Sequence, residues 1–412
     1  MSRSVTPTTP PATGTKWRTL LLLSCAELLV MSLWFSATAV VPLLTDHWQV
    51  SSGAAAWLTM SVQLGFVAGA LASALLNVAD VWPPRAVFAV GAFVGSIVNL
   101  AIPLLHPSFA VAIALRAVTG MSLALVYPVG MKIMATWTRD DRGLGIGILV
   151  GALTVGSASP HLVRGLGGIG AWEPVMIAVS LLAIGGGLLG IVVGRTGPYG
   201  ATIPPFQWHY LGRALTTRSL RLANLGYLGH MWELYAMWTW IPLFLAGAFA
   251  TSGWTEGAAS VAVFAVIGAG GIGSVVAGTL ADRWGRVPTT VLSMGVSGAC
   301  ALTIGLLFVG HPVLVMAVAL VWGFAIVADS AQFSAAVSEL ADPEYIGTML
   351  TAQTAMGFLL TIVSIRLIPA AVALVGWRWA FAVLAIGPAC GSWAMWLLRR
   401  TPEADRMASG RG

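Results

Sequence analysis

The chain's 412 residues are 58% hydrophobic and only 9% charged, and its mean hydropathy of +0.87 excludes a soluble globular protein in favour of a polytopic membrane protein. The net charge of +6 does not call for a nucleic-acid partner, because arginines held in the loops of one membrane face give such an excess by topology alone. Cys25, Cys300 and Cys390 all lie in apolar runs without disulfide or metal-ligand spacing, so neither a metal site nor a cofactor is expected.

Residues 1–16 are rich in Ser, Thr and Pro and read as a disordered tail. An apolar run then follows Lys16, Trp17 and Arg18. Its Ala37-Thr38-Ala39 resembles a signal-peptide cleavage site, but Glu27 in mid-run argues for a retained span. Six runs long enough for a hydrocarbon core occupy 19–44, 54–79, 85–105, 108–136, 143–166 and 173–194. Six more occupy 221–247, 257–280, 287–309, 312–338, 346–374 and 377–398. Between them, the polar and Pro-containing stretch 195–220 reads as a linker, and 399–412 as a second tail. The expected fold is therefore all-α, with twelve transmembrane helices in two six-helix bundles, 17–194 and 221–398.

An internal repeat supports that division. His106-Pro107 and Ala112-Ile113-Ala114-Leu115 recur at a single offset as His311-Pro312 and Ala317-Val318-Ala319-Leu320, and Gly170-Ala171-Trp172 recurs as Val375-Gly376-Trp377. The bundles should be pseudo-symmetric. If the amino terminus is cytoplasmic, 17 of the 21 basic residues fall in cytoplasmic segments or helix ends, which places both termini inside.

The most informative motif is Gly278-Thr279-Leu280-Ala281-Asp282-Arg283-Trp284-Gly285-Arg286, a charged loop between two apolar runs. It resembles the signature loop of the major facilitator superfamily between spans 8 and 9. Asp80 and Arg85 stand in a degraded copy between spans 2 and 3, where Leu76 replaces the opening glycine and Pro83-Pro84 fills the turn. Arg116-Ala117-Val118-Thr119-Gly120 is similar to the family's Arg-x-x-x-Gly element on span 4. The resemblance implies a secondary transporter in which two bundles rock around one central site, with Gly278, Asp282, Arg283, Gly285 and Arg286 as a cytoplasmic gate. Its implied setting is a bacterial inner membrane, and its implied form a monomer. Its partners would be a small-molecule substrate, protons and the lipid bilayer.

Charges far from either membrane face are candidate functional groups, since an unpaired charge there costs several kcal/mol. Glu27 is about 15 Å in from Trp17, Glu233 about 18 Å from Arg221, and Arg116 about 14 Å from Pro107 on the other face, at the helical rise. His230 shares a helical face with Glu233. Spans 1, 4, 7 and 10 line the cavity in the family. The resemblance thus brings in Trp34, Tyr127, Tyr235 and Gln332, with Asp329 nearer the cytoplasmic gate.

Arg116 as the mid-depth cation points to proton-coupled transport of a small anion, and the Val126-Tyr127-Pro128 texture resembles the nitrate/nitrite and cyanate-type branch. A permanent Glu27–Arg116 packing pair is the alternative. A proton-driven antiporter of cationic or lipophilic drugs is a rival function, weakened by Gly156-Ser157-Ala158-Ser159-Pro160 standing where such antiporters carry a Gly-Pro pair. A non-transporting membrane sensor or scaffold is the rival of another class. No nucleotide-binding or hydrolase motif is present, so an enzyme is not expected.

Overall fold

A computed structural model of the chain describes residues 13–138, 141–168, 170–199, 206–250 and 253–411, and among these no strand occurs. Nine helical runs of the described residues are long and apolar enough to cross a membrane. The last of them, Pro343–Leu398, breaks at Gly376, whose φ of 67° suits glycine, and so contains spans 11 and 12. Helices Thr13–Met31 and Arg218–Phe249 supply spans 1 and 7 and complete twelve.

Spans 2 and 3 are Trp57–Leu75 and Pro84–Leu105. Span 4 is built from Phe109–Leu123 and Tyr127–Trp137, span 5 is Arg142–Gly167 and span 6 is Glu173–Val193. Spans 8 and 9 are Glu256–Trp284 and Arg286–Thr303. Span 10 joins Pro312–Ala328 to Ser330–Leu340, span 11 starts at Ile346, and span 12 ends in Ile386–Leu398.

The repeat is visible in the packing. In the amino-terminal half span 2 packs on span 4, span 3 on span 6, and span 1 on spans 5 and 6. Six spans later the pattern returns, with 8 on 10, 9 on 12, and 7 on 11 and 12. The halves meet where span 5 runs along span 8 and span 2 touches span 11. Small residues permit the first contact: an added Cβ would lie 2.8 Å from Ser274 O at Gly147 and 2.9 Å from Gly271 O at Gly151. Ser274 Oγ also donates to Gly147 O at 2.9 Å.

Three features depart from the sequence reading. The first helix begins at Thr13, inside the expected tail. Span 1 is not one helix over 19–44: it stops at Met31, passes through turns at 32–37 and a short 3-10 turn, and resumes at Val41–Trp48. The stretch after Arg400 is folded, since Pro402–Ser409 packs on the second half of span 10 and buries Met407.

The first and last described segments lie on one face. Lys16 Nζ is 2.6 Å from Asp141 beside the start of span 5, and Arg411 donates to Asp282 O in the charged loop. The linker rests on the start of span 11 on this same face, through Gln207 N–H to Thr348 Oγ1 at 2.9 Å and Tyr210 OH to Glu344 at 2.8 Å.

Candidate functional site

A cavity open at one end separates the two halves. One wall is a helical stripe of span 7: Tyr227, Met231, Leu234, Tyr235 and Trp238. Span 5 contributes Ile146, Val150, Leu153 and Thr154, and span 10 contributes Val327, Ser330, Ala331 and Ser334. Trp34, Tyr127, Met131, Thr354 and Phe358 complete the lining, which contains no charged side chain. Three phenols and four Ser/Thr hydroxyls supply the side-chain hydrogen bonding, while Trp, Met and aliphatic groups supply the apolar contact.

On the side away from the termini the cavity is sealed by an aromatic plug drawn from both halves. Trp34 lies 5.0 Å from Phe66 and 5.5 Å from Phe358, and Tyr235 lies 5.8 Å from Trp34 and 5.1 Å from Phe358 (ring centroids). Beyond the plug, Thr361 Oγ1 donates to Gln63 Oε1 at 2.8 Å, and Arg366 donates to Gly53 O at 2.9 Å. Arg164 on span 5 reaches Glu256 on span 8 at 3.4 Å.

Arg116 is not in the cavity. Its guanidinium fills the break in span 1: Nη1 donates to Leu33 O, Ser36 Oγ and Asn99 Oδ1 at 2.8–2.9 Å, Nη2 to Trp34 O, and Nε to Leu58 O. Non-helical backbone survives at membrane depth only where protein groups satisfy it, and a planar fork with five donors suits three carbonyls and two side-chain oxygens. Arg116 therefore forms no packing pair with Glu27; its hydrogen bonds go to the backbone and side chains around the break.

Glu27 is fully buried against Gly130 of span 4, and both its oxygens lack a hydrogen-bond partner. Glu233 is buried inside the carboxy-terminal half, accepting from Ser297 Oγ and Trp322 Nε1, each at 2.7 Å. His230 does not pair with Glu233; its Nδ1 lies 2.8 Å from Asp329 Oδ1, at the junction between the two helices of span 10. Of the residues expected at the site, Trp34, Tyr127 and Tyr235 line the cavity, whereas Glu27, Arg116, His230, Glu233 and Gln332 do not.

The charged loop is tied mainly to its own half. Arg286 donates to Asp282 Oδ1 at 3.2 Å, Gln332 Oε1 at 2.9 Å and Glu339 Oε1 at 2.9 Å. Arg283 is exposed. The link to the other half is close approach: a Cβ at Gly143 would lie 2.6 Å from Asp282 Oδ1, and one at Gly278 would lie 2.8 Å from Gly143 O. Gly285 turns the chain with φ 102°. In the first-half copy Arg85 is exposed, and the Asp80 side chain lies outside the described residues.

Against known families, the Major Facilitator Superfamily model matches residues 23–365 and 223–412. The chain belongs to the major facilitator superfamily. No curated protein matches its sequence. Among solved structures, it is similar to a bacterial homologue of the human lysosomal transporter Spinster in an inward-facing, unoccupied conformation, with TM-score 0.69 and 14% identity over 94% of this chain and 98% of that one. It is likewise similar to the nucleoside transporter NupG, with TM-score 0.69 and 16% identity over 92% and 99% of the two chains. A third is the proton:xylose symporter XylE bound to a bromodeoxyglucose, with TM-score 0.70 and 14% identity over 93% and 96%.

For this superfamily member the fold is that of a secondary transporter in a lipid membrane, and not of an enzyme. Sequence reasoning singled out charged residues in the spans and missed Tyr227, Met231, Thr154, Ser330 and Phe358. The available signal was periodicity: 227, 231, 234, 235 and 238, like 146, 150, 153 and 154, recur at helical spacing on one face.

Proposed function

We propose that the protein is a proton-coupled, alternating-access carrier of an uncharged organic molecule with an apolar face and a few hydroxyl or amide groups. The observation that carries this reading is the cavity: enclosed by both halves, plugged by aromatic rings on one side, and free of charged lining. An aromatic and methionine surface stacks on apolar cargo, and the phenols and hydroxyls fix its orientation. The anion suggested by Arg116 finds no cation here, because that side chain's donors are spent on the break in span 1. One chain supplies both walls, which supports a monomeric unit. The basic-residue bias supports placing the termini in the cytoplasm, so that the cavity is closed to the outside.

A second reading is efflux of lipophilic compounds in exchange for protons, favoured by the unpartnered carboxyl of Glu27 behind the cavity residue Tyr127. The test is uptake and counterflow of uncharged, cationic and anionic organic solutes by purified protein in liposomes, with and without a pH gradient. Uncharged amphipathic solutes should be carried, and Tyr235→Ala should lower their uptake about tenfold, equivalent to ~1.4 kcal/mol at the transition state. Uptake confined to anions would overturn the assignment.

A further inference from the structure

His106 ends span 3 with φ 45° and ψ 55°, a left-handed conformation that residues bearing a Cβ rarely adopt. Its ring is exposed and lies 5.7 Å from that of His47, which is exposed in the last turn of the helix Val41–Trp48 that continues span 1 beyond its break (ring centroids). Both imidazoles lean on the buried ring of Trp172 at the start of span 6, at 5.2 Å and 5.5 Å. Trp48 Nε1 donates to Pro107 O at 3.0 Å, which pins this helix to the residue after His106. Two histidines from separate elements are thus held side by side on the face away from the termini. Among the described residues, neither imidazole takes part in a hydrogen bond or an ion pair.

The second half shows another use of the same His-Pro turn. His311, equivalent to His106 by the repeat, has φ −67°, and its Nδ1 accepts from Val313 N–H at 3.3 Å, capping span 10. Trp377, equivalent to Trp172, packs on Phe244, Phe308 and Phe381. Local capping is therefore open to a histidine in this turn. His106 instead takes a left-handed backbone and stands against His47, a departure of the kind that marks functional positions.

We propose that His47 and His106 form a binding site for a divalent transition-metal ion that favours imidazole, Zn(II) or Cu(II). A Zn–N distance of about 2.0–2.1 Å puts each ring centre ~3.2 Å from the ion, so two ligating rings sit about 5.2 Å apart at a tetrahedral angle and about 6.4 Å apart when opposed. The observed 5.7 Å falls between these limits. The χ2 torsion of histidine is broad, so an exposed ring turns either nitrogen inward at little cost. Imidazole ligands select Zn(II) and Cu(II) over Mg(II) and Ca(II), which take oxygen. Among the described residues no third His, Cys, Asp or Glu joins the pair, so water completes the coordination and the ion exchanges with solution. A bound ion ties the outer piece of span 1 to the turn between spans 3 and 4, and so stiffens the end of the amino-terminal half beyond the break. The pair lies outside the cavity, and the site stands whatever the cargo.

The test is calorimetric titration of Zn(II) into the untagged full-length protein in nanodiscs of zwitterionic lipid, with Mg(II) in excess throughout. One Zn(II) should bind per chain despite the Mg(II), and it should raise the thermal midpoint of the native protein. His47→Gln and His106→Asn should each weaken binding about tenfold or more and abolish that rise; asparagine is chosen at 106 because it tolerates the left-handed backbone. His311→Gln, which removes an exposed histidine from the equivalent turn, should leave binding unchanged. Should His106→Asn fail to fold, His47→Gln, at an exposed helix end, decides alone. Absence of Zn(II) binding by the native protein, native affinity in His47→Gln or His106→Asn, or an equal loss in His311→Gln would overturn the proposal, the last by assigning the ion to scattered surface imidazoles.

Discussion

Removing the Arg116 guanidinium tests whether this residue is architecture or binding site. Its five hydrogen bonds reach Leu58 O at 3.2 Å, Leu33 O at 2.9 Å, Ser36 Oγ at 2.9 Å, Asn99 Oδ1 at 2.8 Å and Trp34 O at 2.5 Å. In Arg116→Ala some of these acceptors keep another partner, since Ser36 Oγ also contacts Leu33 O and Asn99 Oδ1, each at 3.0 Å, and Ser61 Oγ contacts Leu58 O at 3.3 Å. Trp34 O is the acceptor left bare, and the buried volume of the side chain is vacated. Losing a buried, fully bonded charged group of this kind costs about 3–5 kcal/mol. At ~2 °C per kcal/mol for a large chain, the thermal midpoint should drop by roughly 5–10 °C. Intrinsic tryptophan fluorescence of the purified protein, at one fixed heating rate because unfolding of such proteins is seldom reversible, reads this directly. Arg116→Lys should be intermediate, as a point charge cannot reproduce the fork. An unchanged midpoint in Arg116→Ala together with lost transport would refute the argument and return Arg116 to the cargo site.

The seam between spans 5 and 8 gives a paired prediction. Gly151→Leu should force these helices apart at about 1–3 kcal/mol and sharply reduce transport by folded protein, whereas Gly268→Leu, on the same span 8 but with nothing within 4 Å of an added Cβ, should be near neutral. Equal effects of the two would show that close approach at the seam is unimportant. For the plug, Phe66→Ala combined with Phe358→Ala should raise the labelling rate of Tyr235→Cys by about tenfold when a membrane-impermeant thiol reagent is added on the face opposite the termini. No change would place the seal elsewhere.

The twelve-span plan was legible because the bilayer imposes a length and an apolarity that composition reveals directly, and the His-Pro repeat marks equivalent positions in the two halves. The break in span 1 was not. Ser32-Leu33-Trp34-Phe35-Ser36-Ala37 contains neither glycine nor proline, and the side chain that stabilises the break lies 83 residues beyond Leu33. The same distance problem hid the role of Arg116, whose mid-depth position reads equally well as a binding site. Asp329 was legible as a residue near the gate, but its approach to His230 depends on how span 7 is rotated about its axis. Charged residues were expected in the cavity because burial elsewhere is costly; instead Arg116 and Glu233 found hydrogen-bond partners inside their own halves, which left the cavity neutral. Trp34, Tyr127 and Tyr235 were placed by family resemblance to cavity-lining spans, not by any local pattern.

The break in span 1 also bears on how the chain is made. When residues 32–37 leave the ribosome, Leu33 O can accept from Ser36 Oγ, but Trp34 O awaits the guanidinium that later binds it, and Arg116 is synthesised 80 or so residues afterwards. At ~5–20 residues per second this is a delay of about 4–16 s. During that interval span 1 must either remain continuous helix or stay in contact with water or the insertion machinery, because bare carbonyls are not tolerated in hydrocarbon. The first four spans therefore form an assembly unit whose completion is the arrival of one arginine, and span 1 acquires its final shape only after span 4 is in place.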